Sequence, residues 1–138
     1  MECERILDKL ISLSNKENLY GMSRYGINTS NALGIPIPKI RLLAKEIGNN
    51  HILALDLWNT NFHEAKILAS MIGVPEILTS DQMENWARDF DSWDVCDQTC
   101  NNLFWKSPLA YYKSFEWCRR NEEFVKRAGY VLMAVLAV

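Results

Sequence analysis

Apolar residues recur along this chain at three- and four-residue intervals and never in sustained alternation, so the pattern predicts helices from end to end and no strands. Ile6, Leu10 and Leu13 share one face of a helix over about residues 2–15. The following stretch, NKENLYGMSRYGINTSNALGIPIP, is rich in Gly, Asn and Ser, closes on Pro36 and Pro38, and reads as a long connection. Pro38 suits the first turn of the next helix, where its missing N–H is harmless. That helix runs to about Ile47, burying Ile40, Leu43, Ala44 and Ile47, and Gly48 stops it. HILALDLWN (51–59) forms another almost at once, and a further one covers about 62–72 before Gly73 and Pro75. Thr79 and Gln82 have the spacing of a capping box for a helix ending near Phe90. Ser92 is placed to cap one that continues through Trp105, Ser107 and Pro108 start one that ends near Arg120, and Asn121 is placed to cap the last.

Helices this short, joined by a few residues, pack as antiparallel neighbours. An all-α single domain over residues 1–138 follows, built either as a solenoid of stacked helix pairs or as a compact irregular bundle. No repeat is visible as self-similarity. The last eleven residues, AGYVLMAVLAV, are apolar on every side yet too short to span a bilayer, so they predict a buried helix and no membrane association. Such a helix needs a cover. The reading favours the missing remainder of a longer protein of which this is the N-terminal part; a partner, including a second copy in a homo-oligomer, is the alternative.

Composition adds little: 49% hydrophobic and 23% charged residues are ordinary for a globular domain. Cys3, Cys96, Cys100 and Cys118 accompany an N-terminus that already reads as an amphipathic helix, so reduced thiols and a cytoplasmic location are expected. The net charge of −2 gives no support for a nucleic-acid partner, but its distribution is uneven. Residues 76–97 set Arg88 against seven carboxylates, whereas residues 98–138 carry six basic and three acidic side chains. Lys106, Lys113, Arg119, Arg120, Lys126 and Arg127 therefore form either a phosphate-facing patch or an ordinary solvated surface.

No glycine-rich phosphate loop, nucleophile elbow or zinc-protease motif is present. His51 and His63 are too few and badly placed for zinc, and Cys96 and Cys100, one helical turn apart, read as core cysteines rather than metal ligands. One helix stands apart. In SWDVCDQTCNNLFW, residues Trp93, Cys96, Asp97, Cys100, Leu103 and Phe104 share a face, so Asp97 is a carboxylate among apolar and aromatic neighbours. Asp94 is rotated away and suits the first turn as a solvated acid. A desolvated Asp97 needs a partner. Arg127, on the same stripe as Phe124 and Val131, is the best candidate, and guanidinium and carboxylate meet well as a bidentate pair. Pattern alone leaves two uses for that pair open, a structural clamp between helices and a functional site.

Four segments in order, GIPIPKIRLLAKEIG (34–48), LDLWNTNFHEAKILA (55–69), SWDVCD (92–97) and FVKRAG (124–129), resemble the DNA alkylation-repair glycosylases of the AlkD type. The resemblance implies a HEAT-like α-α superhelix, a right-handed solenoid with a DNA-holding concave surface. It implies hydrolysis of the N-glycosidic bond of cationic N3- or N7-alkylated purines in double-stranded DNA, without metal or cofactor. The family's tryptophan–aspartate pair corresponds to Trp93 and Asp97, and its later arginine to Arg127, with Lys126 as the neighbouring alternative. A carboxylate there would steady an oxocarbenium-like sugar and orient water, and an indole face would favour a cationic lesion. DNA would be held by Lys126, Arg119, Arg120, Lys113 and Lys106.

Two other readings stand beside the glycosylase: the same scaffold gripping bent or branched DNA without cleavage, and a protein-binding helical scaffold using the acidic 76–97 segment and the apolar tail.

Overall fold

The structure, a computed structural model, describes residues 2–138. Those residues form nine α-helices, one 3₁₀ turn and no strands. They fall into two compact units, Met1–Gly73 and Val74–Val138.

The first unit contains α1 (Glu2–Ser12), α2 (Lys16–Arg24), α3 (Ile37–Ile47), α4 (His51–Asn59) and α5 (His63–Ile72). Burial of Ile6 and Leu10 on α1, and of Ile40, Leu43 and Ala44 on α3, follows the apolar stripes in the sequence. Asn50 caps α4 by accepting from the Leu53 N–H. Gly48 ends α3 with a positive φ of 76°, its N–H returning to Ala44. The helix α5 is buried almost all round and packs against α4 and α3.

The helix α2 lies inside the stretch that the pattern marks as a connection. Its end signals are good: Asn15 accepts from the Asn18 N–H, Glu17 sits in the first turn and Arg24 in the last. None of its residues is fully buried, and Leu19 and Met22 alone make too short an apolar stripe for a periodicity argument to find. It is held from outside instead. The Asn18 amide donates to the Gly34 carbonyl at 2.8 Å, and the Asn15 N–H donates to Leu33. Gly34 has φ of 81°, and a Cβ there would lie 2.1 Å from the Asn15 carbonyl oxygen, so only glycine lets the two segments approach.

The second unit contains α6 (Ser80–Arg88), α7 (Trp93–Asn102), a 3₁₀ turn (Phe104–Lys106), α8 (Ala110–Trp117) and α9 (Glu123–Leu136). The capping box predicted at Thr79 and Gln82 is complete. Phe104 sits at the centre of the core, with ring centroids at 6.2 Å from Trp86, 6.2 Å from Phe90 and 5.6 Å from Trp117. That placement breaks the helix expected to continue through Trp105: Leu103 leaves helical geometry, and the 3₁₀ turn swings Phe104 inward. Ser92 precedes α7 without a backbone capping bond and donates to Asp94 instead. Ser107 accepts from the Leu109 N–H, so α8 begins at Ala110, slightly later than the Ser-Pro signal suggests. Glu122, not Asn121, stands at the start of α9. No helix among the described residues is long and apolar enough to cross a membrane.

Candidate functional site

Two small thiols set the spacing between α7 and α9. The Cys96 thiol donates to the Phe124 carbonyl at 3.4 Å, and the Cys100 thiol approaches the Ala128 carbonyl at 3.9 Å. Both contacts advance by four residues on each helix, so α7 and α9 run in the same direction, with α8 as the return between them. The cysteines are buried core residues, as their spacing suggests, and burial pushes the Cys100 thiol well above its ordinary value. Among the described residues, no group of three or more His, Cys, Asp or Glu side chains is arranged to hold a metal ion.

Side chains this small allow a close approach, which brings the next residue pair into register. Arg127 donates from Nε to Asp97 Oδ1 at 2.8 Å and from Nη2 to Asp97 Oδ2 at 2.7 Å, a two-pronged pair. These bonds to Asp97 raise the Arg127 pKa above its ordinary value and keep the guanidinium charged. The Asp97 side chain retains 25% exposure, so water reaches it. One turn earlier on α7, Trp93 is 37% exposed, and the Arg127 guanidinium carbon lies 5.9 Å from its ring centroid. Indole, carboxylate and guanidinium therefore form one partly open cluster. Asp94 points elsewhere, accepting from Ser92 Oγ and the Val95 N–H. Beyond Arg127, an open groove of about 490 Å³ runs along α9, lined by Glu123, Lys126, Arg127, Tyr130, Val131 and Ala134.

The five other cations that the charge distribution singles out are placed very differently. Lys126 and Arg119 are exposed. Lys106 is exposed and lies 6.0 Å from the Trp105 ring centroid. Lys113 is a correction to the patch: it is only 3% exposed, paired with Glu116 at 3.2 Å and stacked 5.7 Å from the Trp117 ring. Arg120 is a second correction, because Glu84 and Glu122 both bind it. Carboxylates close in sequence, Glu116 and Glu122, were the overlooked signal that these two charges are already answered.

A buried acid in the first unit also escapes the sequence pattern. Glu64 is 1% exposed, and its carboxylate accepts from the N–H groups of Leu33, Gly34 and Ile35 at 2.8, 2.8 and 3.2 Å. It anchors the loop that leads into α3. Nearby, Lys66 is buried with its ammonium 5.6 Å from the Trp58 ring centroid.

The family model described as DNA alkylation repair enzyme matches residues 6–138. The chain belongs to that family. No curated protein matches it. A solved structure described as representing "a new family of proteins related to the HEAT-like repeat DNA glycosylases with affinity for branched DNA structures" superposes with a TM-score of 0.88 at 19% identity. That match covers 99% of this chain and 57% of the other, so this DNA alkylation repair family member spans little more than half the length of its structural neighbour. At that identity the likeness speaks for the fold, which is HEAT-like.

Proposed function

We propose that this chain carries the catalytic centre of a DNA glycosylase that removes cationic, alkylated purines. The observation that carries the reading is the Trp93–Asp97–Arg127 cluster in a member of the DNA alkylation repair family. An N3- or N7-alkylated purine already bears positive charge. When the bond from C1′ to the base nitrogen breaks, its electron pair leaves with the base, which departs neutral, and the sugar becomes oxocarbenium-like. The Asp97 carboxylate stabilises that charge. Arg127 occupies one lone pair on each Asp97 oxygen, leaving others to accept from a water molecule. Water adds at C1′ and loses a proton, and an abasic site remains. The Trp93 ring offers an electron-rich face to the cationic base or sugar, worth about 0.5–2 kcal/mol. Lys126, Arg119 and Lys106 are the DNA-holding cations of this reading.

The deciding measurement is release of 7-methylguanine from methylated duplex DNA by the parent and by Asp97→Asn. The amide keeps size and shape but removes the charge, so release should fall by about 10²–10³-fold, the scale of losing one transition-state stabiliser, while the melting temperature changes little. Equal release by the two proteins would remove the catalytic assignment.

A second reading is favoured by the description of the structural neighbour, which has affinity for branched DNA. On that reading the same cluster grips DNA without breaking a bond. Salt-sensitive binding to a four-way junction, with no base released by the parent, would select it.

A further inference from the structure

We propose that α3 is a second contact for the phosphodiester backbone, made by Lys39, Arg41 and Lys45. The proposal rests on the reading that the ligand of this chain is DNA, and it concerns the first unit, where the distribution of charge along the sequence pointed to no patch.

Three of the eleven residues of α3, in IPKIRLLAKEI, are cations, and all three are exposed. None of them has an ion-pair partner among the described residues. The lone acid of the helix, Glu46, is turned away to Lys9 at 3.5 Å. Arg41 and Lys45 are four residues apart on one stripe, where like charges repel. A helix that keeps such a pair while directing its acid elsewhere is matched to an anion that is not part of the chain.

The cations are also well held. The opposite face of α3 is buried through Ile40, Leu43 and Ala44, and the helix packs on α5. Pro38 stiffens its first turn, and the loop before it is tied down by the three N–H bonds to Glu64. Arg41 and Lys45, with Ile37, Pro38 and Leu42, line a shallow groove of about 480 Å³. Leu42 is 64% exposed there, an apolar shelf of the kind that deoxyribose can rest on between two phosphates. From Arg41 to Lys45 the helix rises about 6 Å, at about 1.5 Å per residue, while Lys39, turned about 160° from Arg41, stands at the other edge of the exposed face. Along one DNA strand a charge recurs roughly every 3.4 Å of axis, so the Arg41–Lys45 stripe faces about two phosphates, with Lys39 left to meet a further one across the face. Membership of a DNA alkylation repair family favours a polyphosphate over an acidic protein as the anion.

The test is the salt dependence of binding to an undamaged 16-base-pair duplex. Three proteins are compared with the parent: the triple variant K39Q/R41Q/K45Q, the charge-conserving K39R/R41K/K45R, and R5Q/K16Q/R24Q, which removes three exposed cations elsewhere in the same unit and leaves the Lys9–Glu46 pair intact. Each phosphate that a removed cation no longer neutralises lowers the slope of log affinity against log salt by about 0.9. K39Q/R41Q/K45Q should therefore lose about two to three from the slope, with the other two variants within about one of the parent. Single-turnover base release at saturating protein should be unchanged, because these residues bind and do not touch the reacting bond. An unchanged slope in K39Q/R41Q/K45Q overturns the proposal while leaving the DNA reading intact. So does an equal drop in R5Q/K16Q/R24Q, which would make the effect one of net charge. A parent that binds no duplex at any salt overturns the DNA reading itself. Competition by polyglutamate as strong as by DNA of equal charge would overturn it too, assigning α3 to an acidic protein instead.

Discussion

Glu64 and Asp97 are both carboxylates on helices whose neighbours are mostly apolar, and they have opposite fates. Glu64 is sealed from water and spends its lone pairs on three backbone N–H groups. Asp97 keeps a quarter of its side chain exposed and faces a guanidinium beside an open groove. The first is an anchor; the second has access to a ligand. Removing the anchor leaves buried donors unanswered, which costs far more than a surface hydrogen bond contributes. Glu64→Ala should lower the unfolding free energy by at least about 3 kcal/mol, with Glu64→Gln milder because its amide oxygen still accepts. Urea titration of the two variants checks this, and an unchanged midpoint for Glu64→Ala would show that the loop is held by other means. Asp97 was legible in the sequence because an acid falls on an apolar stripe and an arginine does the same thirty residues later. Glu64 was not: its partners are backbone groups of a distant loop, and backbone N–H groups carry no sequence signature.

Between elements, α9 approaches the end of α8 closely at Gly129. A Cβ on Gly129 would lie 2.5 Å from the Cys118 nitrogen and 2.9 Å from the Trp117 carbonyl carbon, both backbone atoms that cannot swing aside. Alanine would gain about 0.8–1.0 kcal/mol of helix propensity, but overpacking costs typically about 1–3 kcal/mol. Gly129→Ala should therefore lower the melting temperature, whereas the same change at Gly21, which has open space around it in α2, should raise it. A stabilised Gly129→Ala would show that α8 and α9 can separate freely. The helix ends tell the same story. The Thr79–Gln82 box and the Gly48 stop were readable because capping is local chemistry. The break at Leu103 was not, because it exists to deliver Phe104 to a core assembled from Trp86, Phe90 and Trp117.

At the scale of the whole molecule, charge that looked like a surface patch becomes in part a fastening. Glu84 on α6 accepts from the Trp117 indole and from Arg120, and also pairs with Arg88. Arg120 in turn holds Glu122 at the start of α9. The hydrogen bond from Arg120 lowers the Glu84 pKa from its usual 4.5 and, with a backbone hydrogen bond, brings Glu122 down to about 2. Acids whose folded values are depressed stabilise the fold fully above the unfolded value, and that contribution fades as pH falls toward the folded one. The stability gap between the parent and Arg120→Gln should be constant above about pH 5, then close as the pH drops from about 4.5 toward 2. Thermal melts across that range would show it, and a gap as wide at pH 2 as at pH 6 would rule the network out as its source. The sequence by itself determined the helical class, most element boundaries and the family, and it named Asp97 and Arg127 as candidate partners, because periodicity, caps and a charge on an apolar stripe are each properties of residues within a few turns of one another. Only tertiary structure decided that α2 is a helix, that Glu64 is an anchor, that Glu84 joins Trp117 and Arg120, and that α3 presents cations without counterions. Each of those depends on which distant groups arrive beside a side chain, and local spacing carries no record of that.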